Sequence, residues 1–524
     1  MQLNGSFFRS GRLAEVTFLA AAFAIALVPL LVTPLIPAID LYNHVSRYFV
    51  MAHVASDPFL AANYQNHWHL LPNIGLDVLA VPFARAFPPL LLAKGIIVLI
   101  FAVQFSGVLA LSATLRRGGA VLPAVMAVPL LYSFILTWGF ANFLFGLGLL
   151  LWATAWWVRT RGRSGGAVAV SCLLALLVFL AHGFAFALYG VVIAAMELGS
   201  FFARGERSIP RAARLALPVV MQAIVPVLLF LLSSTAHATG GMTNAVGAAA
   251  QLSEAGGLFA RLMNLATYRI VTLVRVERGP TLALDLVTFG LQGLIVAYGL
   301  SRGILRLAPV MRWPLVAGGL LVAVTPPTLF GIGHVSDRVP VFLVFLFVAT
   351  LEFDRSRRHA AWLAAAFAVM TGARIGATAV DWRTYAPEFA DFQHVVAAAP
   401  SHILVAELVV GGSRPDDDHP RCEMYAPLLT AERDDAVDLF ASDAAQPFRL
   451  TGPLKAATDQ LPRWRSWGEP PGVYPDIASA ALAAGFQRVL VCNPSDRPFT
   501  PPPGVAIAAQ SGRFLLLRPG SGAR

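Results

Sequence analysis

The chain has 524 residues, of which 57% are hydrophobic and 13% charged, whereas soluble domains average about 25% charged. The net charge of +10 hides a division: residues 1–380 carry 26 basic and 12 acidic side chains, and residues 381–524 carry 13 and 17. The basic residues of the first part fall in short loops between apolar runs. This distribution is typical of loops that orient a protein in a membrane, so nucleic-acid binding is not favoured.

Apolar runs long enough to cross a hydrocarbon core of roughly 30 Å predict an all-α polytopic membrane domain over residues 1–380. The first run is too long for a typical signal peptide and lacks a clear cleavage site, so we interpret it as a retained span. A weaker segment, 72–87, contains Asp77 and Arg85 and is interpreted as a re-entrant or interfacial helix. About eleven spans are predicted, at 14–37, 89–113, 120–137, 140–158, 166–182, 184–203, 214–234, 281–301, 313–331, 338–352 and 360–379.

The arginine distribution decides the predicted orientation. With a cytoplasmic N-terminus and no crossing at 72–87, 17 of the 26 basic residues in the first part lie on one side, as the positive-inside rule requires. Counting 72–87 as a crossing would place every later arginine cluster outside. We therefore predict a multi-pass protein of the bacterial inner (plasma) membrane, with external loops 38–88 and 235–280 and an external C-terminal part.

Residues 381–524 change character, because apolar runs shorten to strand length and Pro, Asp and Arg become common. The runs "SHILVAELVV", "FQRVLVCNP" and "GRFLLLRP" predict strands, with helices at 386–399 and 475–485. This pattern predicts a small, soluble, extracytoplasmic α/β domain. Cys422 and Cys492 either form a disulfide there or are two unpaired core residues, and Cys172 lies inside a span.

Five separate segments send polar side chains to the predicted external face. Each residue alone has an ordinary explanation, such as an aromatic belt or an arginine reaching the headgroups. Their coincidence on one face indicates function, because ionisable groups at a membrane boundary are costly to bury. The residues are Asp40, His44 and Arg47; Tyr64, His67, Trp68 and His69; Trp138 and Asn142; His182; and His334, Asp337 and Arg338.

The stretch "PAIDLYNHVSRYFVMAH" (37–53) carries the most specific pattern. Asp40, His44 and Arg47 follow i, i+4, i+7 spacing and share one face of a helix. The opposite face suits lipid, which predicts an amphipathic helix in the membrane interface. An N-capping role explains Asp40 equally simply but explains neither of the other two residues. The residues assigned to the lipid face are Leu41, Val45, Tyr48, Phe49 and Ala52.

On these residues the chain resembles the GT-C superfamily of polytopic glycosyltransferases, which take a sugar from a polyprenyl-phosphate donor. The resemblance lies in the order of parts: a first span, a loop bearing Asp40, the weak segment 72–87, many spans and a soluble tail. The family's acidic position is here a single Asp, and the loop 235–280 carries no motif of the family.

The resemblance implies sugar transfer from a polyprenyl-phosphate-linked donor to a glycan, lipid or protein acceptor of the envelope. It implies Asp40 as the base, beside His44. Arg338, Arg47 and His334 would bind the phosphate. Groups suited to binding a sugar are Tyr64, His67, Trp68, Trp138, Asn142, His182 and Asp337.

Several alternatives remain open. Arg269, Arg275 and Arg278 lie in a segment that either gates a lipid donor or binds anionic headgroups. His67 and His69 could pair on a metal, but no third ligand is evident, so no metal site is assigned and the cofactor is unknown, with a divalent cation as the candidate.

Two rival functions also fit the sequence. A flippase or transporter of lipid-linked sugars would use the polar residues within spans, which are Asp285, Gln222 and Gln292. A non-catalytic scaffold for envelope assembly would use the tail as its interaction surface.

Overall fold

The chain is predominantly helical. The computed structural model describes residues 5–115, 121–161, 164–203, 205, 208–233, 258–329, 333–410, 422, 424–439, 446–461, 474–493 and 499–520. The helices of the first part are α1 (Gly5–Ala26), α2 (Val28–Val32), α3 (Leu41–His53), α4 (Pro58–Asn63), α5 (Gly75–Ala80), α6 (Pro89–Leu115), α7 (Val121–Leu130), α8 (Phe134–Thr137), α9 (Ala141–Thr160), α10 (Gly165–Ala181), α11 (Gly183–Ala203), α12 (Ile209–Leu232), α13 (Leu258–Val274), α14 (Leu282–Ser301), α15 (Arg312–Val324), α16 (Val335–Thr350) and α17 (Ala360–Arg383).

The long apolar helices make this a multi-pass membrane protein. Within the described ranges, six helical segments are long and apolar enough to cross a membrane, and four shorter apolar helices accompany them. The six are Pro89–Leu115, Ala141–Thr160, Gly183–Ala203, Ile209–Leu232, Leu282–Ser301 and Ala360–Val396. The prediction of membrane-crossing helices is confirmed, and the count of about eleven spans stays a prediction.

Two predicted spans differ from the helices observed, and the segment interpreted as non-crossing contains only a short helix. The run 120–137 is divided into α7 and α8, with Pro129 in the last turn of α7. The described part of the run 313–331, which ends at residue 329, is helical only to Val324. The segment 72–87 forms the six-residue α5, which is about 9 Å long and too short to cross a bilayer. Proline and short polar interruptions end these helices earlier than hydropathy alone indicates.

Helices α6 and α9 pack closely through glycine. A Cβ at Gly107 would lie 2.8 Å from the carbonyl oxygen of Gly148, and one at Gly148 would lie 2.8 Å from the backbone nitrogen of Gln104. The Gln104 side chain donates to the carbonyl of Leu144 at 3.0 Å. Small residues thus allow the backbones to approach, as is common between membrane helices.

The tail contains a four-stranded sheet. Its strands, in spatial order, are β4 (Val405–Val409), β6 (Arg488–Cys492), β8 (Phe514–Pro519) and β7 (Val505–Ser511). Strands β4 and β6 are parallel, and the other neighbouring pairs are antiparallel. The helices of the tail include Tyr385–Val396 and Tyr474–Ala483, where the sequence predicted 386–399 and 475–485. The tail also contains β5 (Phe448–Leu450), and its helices are α18 (Tyr385–Val396), α19 (Ala426–Arg433), α20 (Gly452–Asp459) and α21 (Tyr474–Ala483).

Short strands also occur in the part predicted to be all-α, which corrects that expectation. Strand β1 (Tyr64–Asn66) pairs antiparallel with β5 of the tail, and β2 (Leu305–Leu307) pairs with β3 (Leu351–Phe353). The β1–β5 pair joins two segments almost 400 positions apart, so it has no local signal in the sequence.

Helix α3 is buried at all but three of its residues, so the expectation of a lipid-facing helix was wrong. Leu41, Val45 and Tyr48 are 0% exposed. The hydroxyl of Ser46 donates to the carbonyl of Pro427 at the start of α19, at 2.5 Å. The apolar face of α3 therefore packs against protein, partly against the tail, instead of against lipid.

A disulfide joins Cys422 to Cys492, with 5.6 Å between the Cα atoms. This is the first of the two alternatives that the sequence left open. Cys172 is unpaired in α10.

Candidate functional site

Three backbone segments meet at the start of α3. The amides of Ile39 and Asp40 donate to the carbonyls of Thr137 and Trp138, at 2.9 and 3.0 Å. Thr137 and Trp138 belong to the segment 132–138, which also pairs with residues 275–278. In that second pairing, Phe134 N donates to Arg275 O at 3.1 Å. The backbone thus brings the Asp40 loop, the Trp138 turn and the end of α13 together.

Gly139 makes the approach of Asp40 possible. Its φ is +76°, a left-handed conformation that favours glycine. A Cβ at this position would lie 2.5 Å from Leu41 N and 2.7 Å from Asp40 N. Any side chain at residue 139 would push the Asp40 backbone away.

Asp40 does not act as an N-cap. It occupies the N-cap position of α3 with helical dihedrals, and its side chain makes no capping hydrogen bond. Asp57, by contrast, caps α4 through the amides of Phe59 and Leu60. The capping explanation for Asp40 is therefore wrong, and its side chain is half-buried.

The turn before α16 packs directly on the Trp138 turn. The rings of His334 and Trp138 have centroids 4.0 Å apart, and Phe134 and Phe140 lie on either side of His334 at 5.8 and 5.9 Å. His334 Nδ1 lies 3.2 Å from a carboxylate oxygen of Asp337. Two segments that are about 200 residues apart in sequence therefore form one polar and aromatic surface.

Arg338 is the principal buried charge of this surface. Its residue is 5% exposed, and its guanidinium lies 4.5 Å from the ring centre of Phe140 and 5.7 Å from that of Phe143. The charges of Asp337 and Asp40 both act on it. Its Nε is buried without a hydrogen-bond partner among the described residues. We call Asp40, Trp138, His334, Asp337 and Arg338 the Arg338 cluster.

His182 and Asn142 border this cluster. Arg338 acts electrostatically on His182, whose ring packs edge-on against Phe143 at 5.3 Å. His182 Nδ1 accepts from the amide of Phe184, so this ring nitrogen is used locally. The Asn142 amide donates to the carbonyl of Asn73 at 2.8 Å, and its own oxygen is buried without a partner in the described part of the chain.

Helix α13 contributes residues that the sequence assigned only in general terms. The hydroxyls of Tyr268 and Ser336 lie 2.5 Å apart, which joins α13 to the first turn of α16. Asp337, Arg269 and Arg275 all act on Tyr268. Burial, followed by the charge of Asp337, raises the pKa of Tyr268, so its hydroxyl keeps its proton at neutral pH.

Arg47, expected to bind phosphate, is paired with an acid and an amide of the chain. Its Nε and Nη2 contact the two carboxylate oxygens of Asp77 at 2.8 and 3.1 Å, and its Nη1 donates to Gln446 at 2.5 Å. All three nitrogens are engaged, and the pair is buried. The acid that neutralises it lies in the weak segment 72–87.

His44 stands one helical turn beyond Asp40. Burial, followed by the charge of Arg47, lowers the pKa of His44 well below its usual range, so the ring is neutral at pH 7. Its Nδ1 is buried and has no hydrogen-bond partner within the described ranges. The ring lies near Tyr48, with centroids 6.3 Å apart.

Tyr64 and His67 lie at the contact with the tail, and no described contact joins either of them or Trp68 to the Arg338 cluster, so their expected role in sugar binding is not supported. Tyr64 is buried in the β1–β5 pair, and its hydroxyl donates to Val437 O at 2.5 Å. His67 Nε2 lies 2.6 Å from a nitrogen of Arg449, which occupies the atom that a metal would need. Trp68 is 47% exposed.

Sequence reasoning missed a buried charge network between the first turn of α14 and the C-terminal half of α17. Asp285 contacts Arg278 at 3.1 Å and Arg374 at 2.9 Å, and Arg374 also contacts Glu277 at 3.1 Å. Gln292 donates to Glu277 at 2.9 Å. The signal in the sequence was the presence of Arg374 inside a predicted span. The network anchors residues 277–278, which pair with the Trp138 turn through the 2.6 Å bond from Arg278 N to Tyr132 O.

No family model matches the sequence, and no curated protein matches it. Among solved structures, the chain is similar to a crystal structure of ArnT from Cupriavidus metallidurans bound to undecaprenyl phosphate. The match covers 96% of this chain and 97% of that chain, with 12% sequence identity and a TM-score of 0.49.

Proposed function

We propose that the Arg338 cluster transfers a sugar from a polyprenyl-phosphate donor to an acceptor in the cell envelope, on the extracytoplasmic side of the inner membrane. The observation that carries the proposal is the buried guanidinium of Arg338, on which the charge of the Asp40 carboxylate acts and whose Nε has no hydrogen-bond partner among the described residues. The arginine count of the sequence supports the external side.

Arg338 is suited to binding an anion. Burial of an arginine costs several kcal/mol unless other groups compensate it. The aromatic faces of Phe140 and Phe143 supply part of this compensation, and cation–π contacts contribute about 2 kcal/mol when desolvated. The buried Nε still lacks an acceptor among the described atoms. A phosphate oxygen would provide one, and a guanidinium binds phosphate through a planar fork.

Asp40 is the proposed base. As the acceptor oxygen attacks the anomeric carbon, the Asp40 carboxylate takes the hydroxyl proton, and the bond from that carbon to the phosphate oxygen breaks. Polyprenyl phosphate leaves with the bonding electrons, and Arg338 offsets the charge that develops on it. Because attack and departure occur on opposite faces, the anomeric configuration inverts. The neutral ring of His44 lies one helical turn from Asp40, and we assign it a supporting role beside this base.

The sugar would lie against the aromatic and polar surface around Arg338. Trp138 offers a ring face, and His334 and Asp337 offer hydrogen-bonding groups next to it. Asn142 and His182 border the same surface. Tyr268 and Arg269 of α13 would cover the side of this surface that faces the membrane. Such a position favours the gating alternative for this helix over a role in binding headgroups alone.

A transporter would need unoccupied polar groups within the membrane. The three candidates are engaged locally. Asp285 is paired with two arginines, Gln222 accepts from the hydroxyl of Tyr189 at 2.7 Å, and Gln292 donates to Glu277. These contacts favour the enzyme over the flippase.

The test separates binding from transfer. In binding experiments with purified protein and undecaprenyl phosphate, we expect Arg338→Gln to weaken binding about tenfold or more, because a hydrogen bond to a charged group contributes about 1.5–3 kcal/mol. We expect Asp40→Asn to bind the probe normally but to lower transfer to envelope acceptors by about 10²–10⁴-fold, measured by mass spectrometry of envelope glycans. Asp476→Asn, an exposed acid on α21, is the control and changes neither quantity.

Unchanged envelope glycans in a stable Asp40→Asn protein would refute the catalytic assignment. Movement of a lipid-linked sugar across vesicles without formation of a glycosidic bond would support the flippase instead. Equal binding of undecaprenyl phosphate by Arg338→Gln and by the wild type would remove Arg338 from the phosphate site.

A further inference from the structure

A second group of polar side chains lies outside the Arg338 cluster, where the loop after α3 meets the tail. Asp57, His402 and Asp434 each offer one ligand atom, and these three atoms all lie within 4.8 Å of one another. Asp57 Oδ2 and His402 Nε2 are 3.6 Å apart. We call these three residues the Asp57 group.

Contacts outside the group orient two of its members. Asp57 Oδ1 accepts from the amides of Phe59 and Leu60, at 2.8 and 3.0 Å, which leaves Oδ2 directed at His402. His402 Nδ1 lies 3.1 Å from the hydroxyl of Ser401, which leaves Nε2 directed at Asp57. At metal sites, a hydrogen bond from the other oxygen or nitrogen of a ligand side chain to a neighbouring group fixes the orientation of that carboxylate or imidazole.

The charge around the group is not compensated by lysine or arginine. Two carboxylates act on each other here, and the other groups that act on Asp434 are the imidazoles of His402 and His53. Within the described ranges, neither acid forms an ion pair with a basic residue other than His402. His53 Nδ1 lies 2.9 Å from Phe49 O, so its Nε2 is the ring nitrogen that remains for another contact.

We infer that the Asp57 group binds a divalent cation that accepts mixed nitrogen and oxygen ligands, of the Zn²⁺ or Mn²⁺ type. The three residues supply two carboxylates and one imidazole, and water completes the coordination because 47% of the His402 side chain and 21% of the Asp57 side chain are exposed. The ion enters directly from solvent through this exposed side.

The cation would link separate parts of the chain. Asp57 precedes α4 in the first external loop, and His402 and Asp434 belong to the tail, before β4 and after α19. The same two parts also meet through the β1–β5 pair and through the contact of Ser46 with Pro427. The cation therefore holds the tail against the loop that follows α3, and this role is independent of the proposed sugar transfer.

The test measures metal uptake and thermal stability of the full-length protein in detergent, after treatment with EDTA and removal of the chelator. We expect the wild type to take up one equivalent of Zn²⁺ or Mn²⁺ by mass spectrometry of the metal, with a rise in the unfolding midpoint. We expect His402→Ala and Asp434→Asn each to weaken uptake about tenfold or more. Asp57→Asn keeps the capping oxygen of α4 and removes the charge, so it gives a third variant whose folding is protected.

His69→Ala is the matched control, because it removes a histidine that lies outside the Asp57 group, with its ring 4.6 Å from that of His67. This variant is expected to take up metal like the wild type. Absence of uptake by the wild type at micromolar metal would overturn the inference. Loss of uptake in His69→Ala with normal uptake in Asp57→Asn would overturn it as well.

Discussion

The ion pair between Arg47 and Asp77 gives the sharpest test of how α3 is held. Its two contacts measure 2.8 and 3.1 Å, and the side chains are 7% and 1% exposed. Replacing Arg47 by Met leaves a buried carboxylate, and replacing Asp77 by Leu leaves a buried guanidinium. Loss of one partner of a buried pair typically lowers the free energy of unfolding by about 3–5 kcal/mol.

The double substitution distinguishes pairing from independent effects. If the two side chains stabilise α3 through each other, the combination Arg47→Met with Asp77→Leu leaves no buried charge. Its destabilisation is then smaller than the sum of about 6–10 kcal/mol that independent losses would give. We expect it to be no larger than that of either single variant. The loss of the Gln446 contact adds about 1 kcal/mol to every variant that lacks Arg47.

The assay is unfolding by SDS in mixed micelles, followed by circular dichroism, with undecaprenyl phosphate binding measured in parallel. Asp354→Asn is the control, because it disrupts an exposed pair with Arg357 and is expected to cause no measurable change. Strictly additive losses in the double variant would refute the pairing argument. A stable Arg47→Met protein with lost phosphate binding would restore the role that the sequence suggested.

Three further predictions concern other parts of the chain. Burial raises the pKa of Asp435 to about 6, so the folded state holds this proton more tightly than the unfolded state; the resulting stability is complete below about pH 4 and is lost as pH rises through 6. Thermal unfolding as a function of pH should show the wild type losing about 3 kcal/mol over this range relative to Asp435→Asn, and parallel curves would contradict the shift. Gly139→Ala should displace Asp40 and abolish transfer while the protein remains folded, and normal transfer would disprove the steric argument. Reduction of the Cys422–Cys492 bond, which closes a 70-residue separation, should lower the free energy of unfolding by about 4 kcal/mol, measured with and without a reductant; an unchanged midpoint would contradict this.

The sequence by itself determined the class of the protein and the parts of the chain that carry polar groups. Hydropathy and charge are local properties, so they predicted membrane-crossing helices and a tail with strands near residues 405, 490 and 515. The spacing of Trp138, His334 and Arg338 from span ends placed them on one face. These features depend on residues close together in the chain, and a single sequence reports them.

Only the tertiary structure decided which polar groups belong together. Arg47 and Asp77 are 30 positions apart, and Arg374 and Asp285 are 89 apart, so no local pattern reveals either pair. The same limit concealed the contact of α3 with the tail, because an amphipathic pattern shows that an apolar face is covered but not whether lipid or protein covers it. A buried charge must find its partner in space, and among the described residues the Nε of Arg338 has no hydrogen-bond partner.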